Sequence, residues 1–157
     1  MKQYLMALTK RGIRPASRGN PPILDSDVRV GDSNSPGPRV YKVALKQATG
    51  NGGALAFANP LGVPCLVTGV ALNVKTGVDT RTLDIGVAAN GTTSSDTLFD
   101  GLDIQVSAQG VKTNALNGGT NGKAQAVLGT TQFITGTASG AVATLVADIY
   151  ITLTPLS

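Results

Sequence analysis

The sequence contains no histidine and no glutamate. Without histidine there is no histidine-based triad, no imidazole metal ligand and no ordinary base titrating near neutrality. Without glutamate the commonest carboxylic general acid or base is missing, as is the bidentate ligand that completes a calcium loop. A single cysteine, Cys65, excludes an internal disulfide framework and a cysteine-rich metal centre. It sits in an apolar run with no activating neighbour, so it reads as a small strand residue and not as a nucleophile. Phosphate-binding and dinucleotide-binding glycine fingerprints are lacking. No run approaches the roughly 20 apolar residues of a membrane-spanning helix. The residues after Lys2 lack a continuous apolar segment, so a signal peptide is not expected. Catalysis, a cofactor, a metal ion and a small-molecule substrate are accordingly not expected either.

Tryptophan is absent too, and three Phe and three Tyr are the whole aromatic complement of 157 residues. The core must be built mainly from small and β-branched side chains, and a second sheet or a neighbouring subunit would help to complete it. All nine acidic residues are Asp, and there are 20 Gly. Asp and Gly favour turns over helix interiors. With abundant Thr and Val, this composition predicts an all-β protein of one domain plus an appendage.

The formal charge of +4 is unevenly spread. Residues 1–42 carry eight basic residues against three aspartates, whereas residues 43–157 carry five against six. Residues 1–39 also hold Pro15, Pro21, Pro22, Pro36 and Pro38 and isolated apolar pairs, Ile23-Leu24 and Val28/Val30. This stretch reads as an extended basic arm, residues 1–39, ahead of a β-domain, residues 40–157. Such a segment orders on a partner more readily than alone. Lys10, Arg11, Arg14, Arg18 and Arg29 supply charge for docking, and Ile23, Leu24, Val28 and Val30 supply apolar contact. The charges are dispersed and interleaved with Asp, not clustered, so nucleic acid is not the expected partner.

The central stretch PCLVTGVALNVKTGVDTRTLDIGVAANG, residues 64–91, alternates with period two in both halves. Leu66, Thr68, Val70, Leu72 and Val74 share one face, and Leu83, Ile85 and Val87 another. The spacing predicts two half-buried strands joined as a hairpin through Thr76–Thr80. Further strands are expected at Val40–Gln47, with Val43 and Leu45 inward, and at Asp103–Ala108. Others are expected at Ala124–Leu128, Thr130–Thr135 and Val142–Thr154, with Leu145, Ala147, Ile149, Ile151 and Leu153 inward. Gly136–Gly140 reads as a turn and NALNGGTNGK, residues 114–123, as a long loop. About eight strands at this spacing suit an antiparallel β-sandwich or jelly roll.

Two charged clusters remain. Asp96, Asp100 and Asp103 fall within eight residues and can be weighed as calcium ligands; turn-making and capping are the simpler roles for them. Asp79, Arg81 and Asp84 read as an exposed charge pair at the end of the hairpin.

The pieces PCLVTGVALNVKTGVDTRTLDIGVAANGTTSSDTLFDGLDI, NGGTNGKA and ITGTASGAVATLVADIYI, in that order, resemble a group of small virion structural proteins of tailed bacteriophages. The resemblance spans about residues 60–154 and leaves the first 40 residues outside it. It implies a capsid-associated protein at the virion surface, of the head decoration (cement) or head-fibre-base type, with no catalytic residues. Its expected partner is the major capsid protein, with the arm as clamp and the β-domain as the body of a homotrimer. A head- or tail-fibre module that binds a receptor or glycan is the alternative.

Overall fold

The computed structural model describes residues 37–156. Nine strands follow one another: β1 (Arg39–Ala44), β2 (Leu55–Ala58), β3 (Cys65–Thr76), β4 (Thr82–Ala88), β5 (Phe99–Asp103), β6 (Gly110–Thr113), β7 (Ala126–Leu128), β8 (Phe133–Ala138) and β9 (Val146–Pro155). One four-residue helix, α1 (Asn114–Asn117), lies between β6 and β7. The strands form two antiparallel sheets. The first runs β1-β9-β3-β6, with β7 also paired to β3, and the second runs β2-β8-β4-β5. The protein is an all-β sandwich, as the alternation predicts.

Side-chain alternation determines which faces meet. Val70, Leu72 and Val74 of β3 and Ala147, Ile149, Ile151 and Leu153 of β9 point inward from the first sheet. Leu55, Leu83, Ile85, Phe99, Leu102 and Ile134 point inward from the second, and all belong to one apolar cluster. Burying each large member contributes roughly 1.5–3 kcal/mol. Phe99 is the sole aromatic ring in the fully buried set, so branched aliphatic side chains carry most of the core. Tyr41 and Phe57 extend it at one end, with ring centroids 5.5 Å apart.

The expected hairpin of residues 64–91 does not form. β3 and β4 are both strands, but they belong to different sheets. β3 has β9 on one edge and β6 and β7 on the other, and β4 lies between β8 and β5. The link between them crosses the sandwich. Val78 N–H donates to the Ile104 carbonyl at 3.0 Å, and a Cβ on Gly77 would stand 2.4 Å from the Gln105 carbonyl oxygen. That close approach seats the link against residues 104–106 and turns it away from β3.

The structure departs from the local reading at four further places. In β3 a register shift between Val67 and Gly69 changes the phase, so Cys65 and Val67 are buried while Leu66 and Thr68 lie half out. The strand expected at Asp103–Ala108 sits earlier, at Phe99–Asp103. Asp103 accepts the Gln105 N–H at 2.8 Å, and the chain turns there. Ile104 is buried, but Val106 is 52% exposed. Gly136 lies inside β8 and not in a turn. A Cβ there would approach Leu55 Cβ to 2.9 Å, so glycine permits the close pairing of β8 with β2. The last strand begins at Val146, after a turn closed by Leu145 N–H on the Val142 carbonyl.

Candidate interaction surface

The outer face of the first sheet is built from the residues that alternate with its core positions. Its rows follow from the register. Val40, Thr152 and Gly69 lie side by side; Lys42, Tyr150, Ala71 and Thr113 form the next row; Ala44, Asp148, Asn73 and Val111 form the third. Val40, Val111 and Val146 are 65%, 69% and 46% exposed on this face.

Asp148 is 6% exposed although it points outward. Lys42 Nζ lies 3.0 Å and Lys75 Nζ 2.6 Å from the same oxygen, Oδ2, so two alkyl stems cover the carboxylate. The hydrogen bond from Lys75, then that from Lys42, holds the Asp148 carboxyl below its ordinary range. The hydrogen bond to Asp148, reinforced by its charge, raises the Lys42 ammonium. Lys42 Nζ also lies 5.9 Å from the centre of the Tyr150 ring. Outward spacing puts all three ionic residues on one face, but nothing local in the sequence pairs them.

Beside this trio the outer edge of β3 is shared by two short strands. β7 pairs with Cys65–Val67 and β6 with Ala71–Val74. Between them the chain makes an excursion over residues 114–125, and Asn114 ties it back. Asn114 is 3% exposed. Its Oδ1 accepts the Val70 N–H at 2.9 Å. Its Nδ2 donates to the Lys123 carbonyl at 2.8 Å and to the Ala124 carbonyl at 2.9 Å. The carboxamide thus replaces a missing strand at the gap. Read alone, Asn114 is one more turn-forming residue in an Asn/Gly loop, and the sequence carries no signal for this role.

The gap leaves a hollow of about 590 Å³. Its floor is Gly69 and Ala71, Tyr150 and Thr152 flank it, and the excursion closes its other side with Leu116 and Gln125. It exists because two adjacent outward positions carry almost no side chain. A Cβ on Gly69 would meet a single atom within 4 Å, Thr152 Oγ1 at 4.0 Å.

The acidic cluster has structural work to do. Asp96 Oδ2 accepts from Asn121 Nδ2 at 3.0 Å, and Asp100 Oδ2 accepts the Asn121 N–H at 3.0 Å. Together they fasten the GGTNGK loop. The second cluster is not an ion pair at a hairpin end, since that hairpin is absent. Asp84 Oδ1 accepts the Gly101 N–H at 2.7 Å, where Gly101 (φ 66°) forms a bulge in β5. Arg81 Nη1 donates to the Thr80 carbonyl. Cys65 is buried against the Leu128 carbonyl, and burial pushes its thiol up, away from the reactive thiolate. The arm residues Lys10, Arg11, Arg14, Arg18, Ile23, Leu24, Val28, Arg29 and Val30 lie outside the described residues. Among the described residues, no helix is long and apolar enough to cross a membrane.

No protein-family model matches the chain, and no curated protein matches it. Among solved structures, it is similar to a chain in the acid-stable capsid structure of Helicobacter pylori bacteriophage KHP30. The identity is 17% over 76% of this chain and 87% of that one, with a TM-score of 0.49.

Proposed function

We infer that this chain is a non-enzymatic bacteriophage decoration (cement) protein, which binds the outer head surface and staples neighbouring major capsid subunits. The observation that carries this reading is the outer face of the first sheet. It is a nearly charge-balanced surface with three exposed valines, set on a two-sheet sandwich. Solvated sheet faces are normally polar, so three exposed valines on this face favour contact with another protein surface. The virion resemblance of residues 60–154 supplies the identity of that surface.

Two further features support the reading. With β7 set aside, the strand orders β1-β9-β3-β6 and β2-β8-β4-β5 are those we assign to a jelly roll, in which the two halves of the chain wind up against each other. That architecture serves capsid and lectin domains alike, so the fold by itself does not choose between them. The chain also enters the body at β1, an edge strand of the first sheet. In the sequence, the basic, proline-rich arm precedes that strand. A homotrimeric body, with arms reaching adjacent subunits, would multiply weak contacts into avidity.

The test is deletion of residues 1–39, followed by co-sedimentation with undecorated capsids. The truncated body should keep its β-type circular dichroism spectrum and its oligomeric state, and lose capsid affinity by at least about tenfold. Equal binding by the truncated and full chains would reduce the arm to a passive tail. Failure of both to bind would remove the cement role.

A further inference from the structure

We propose that the hollow beside Asn114 is a binding site for an uncharged sugar ring, a neutral pyranoside displayed on a glycan. None of the twelve lining residues is charged. The lining itself offers an ion no charged partner, and the nearby Lys42 ammonium is engaged by Asp148, so the chemistry selects a neutral ligand. Threonine hydroxyls are contributed by Thr68, Thr113 and Thr152, an exposed carboxamide by Gln125, and a phenol by Tyr150. Between these polar groups lie Ala71, the 86%-exposed Leu116 and the half-buried Tyr150. A pyranose has this same division, with an apolar C–H face and a rim of hydroxyls.

The shape agrees with the chemistry. Gly69 and Ala71 bring the sheet backbone to the floor, so a flat ring can lie against β3. The volume falls within the range of small-molecule sites, which combine an apolar lining with a few convergent polar groups. The excursion that forms one wall is held by the three Asn114 hydrogen bonds. That wall is therefore built before any ligand arrives, and little ordering is needed on binding. A single shallow site of this kind binds weakly, at millimolar ligand concentration. The inference does not depend on the cement role, since it concerns the free protein.

The test uses the full-length protein and saturation-transfer NMR. The probes are methyl glucoside, methyl galactoside and methyl N-acetylglucosaminide at millimolar concentration, with sialic acid as the anionic control. At least one neutral pyranoside should receive saturation, and sialic acid should not. Gly69→Phe should abolish the transfer, because the new ring fills the hollow. Its Cβ enters open space, so the melting temperature should be unchanged. Tyr150→Leu should weaken binding about tenfold. The proposal fails if no neutral pyranoside binds, if sialic acid binds equally well, or if Gly69→Phe leaves binding intact. It also fails if Gly69→Phe changes the sedimentation coefficient, which would show that the hollow receives a second copy of the chain.

Discussion

Replacing Asn114 by alanine should be among the most disruptive single changes in the described structure, although the side chain lies in a loop-rich segment. The substitution removes three hydrogen bonds at once. Their losses differ in kind. The carbonyls of Lys123 and Ala124 belong to exposed residues, where water can substitute, so each loss is at the low end of about 0.5–1.5 kcal/mol. The Val70 amide belongs to a residue that is 2% exposed. Left unsatisfied, it costs about 1–3 kcal/mol. The sum is about 2–4 kcal/mol, a large share of the 5–15 kcal/mol that holds a typical domain together. Urea unfolding should show a lower midpoint at an unchanged slope. Hydrogen exchange should place the damage, with the Val70 amide losing protection first and Ile149 and Ile151 keeping theirs. Asn114→Asp sharpens the test. One carboxylate oxygen still accepts from Val70, but the other faces two carbonyl oxygens. The new carboxyl should therefore have a raised folded-state pKa, and the variant should gain stability as the pH falls. A loss below about 0.5 kcal/mol for Asn114→Ala, with the Val70 amide still protected, would refute the strand-replacement role.

Three further outcomes are expected. Because the folded pKa of Asp148 is depressed, its ion pairs stabilise the fold above the ordinary carboxyl value of 3.8 and are lost as pH falls through the lower folded value. Lys42, raised above 10.5, contributes below that value and loses its effect as pH rises through the folded one. Asp148→Asn should flatten both limbs of a plot of melting temperature against pH, and an unaltered profile would contradict the geometry. Phe99→Ala should lower stability by about 3–5 kcal/mol, read from the urea midpoint, since Phe99 is the one aromatic in the fully buried set. Gly86→Ala should be destabilising by about 1–3 kcal/mol, because its Cβ would stand 2.5 Å from the Thr97 backbone nitrogen; a neutral result would mean that the 91–97 loop is not seated there.

The residues themselves determined the class of this fold. Period-two alternation is written locally, because neighbouring side chains on a strand point to opposite faces wherever that strand goes. So Val70, Leu72 and Val74, and Ala147, Ile149, Ile151 and Leu153, declared their inward faces without reference to a partner, and Asp and Gly marked the turns. The missing histidine and glutamate limited the chemistry in the same local way. Pairing was decided elsewhere. Whether β3 continues into β4 as a hairpin depends on what else occupies its edges, and those occupants lie as far away as Val146–Pro155. The link over Gly77 and Val78 follows the Ile104–Gln105 carbonyls, about 27 positions further on. Likewise, Lys42, Lys75 and Asp148 meet only once three strands lie side by side. The hollow needs a gap between β6 and β7, two small outward residues, and one carboxamide reaching back to Val70. Each ingredient is an ordinary residue in the sequence, and only contacts between distant positions give it a role.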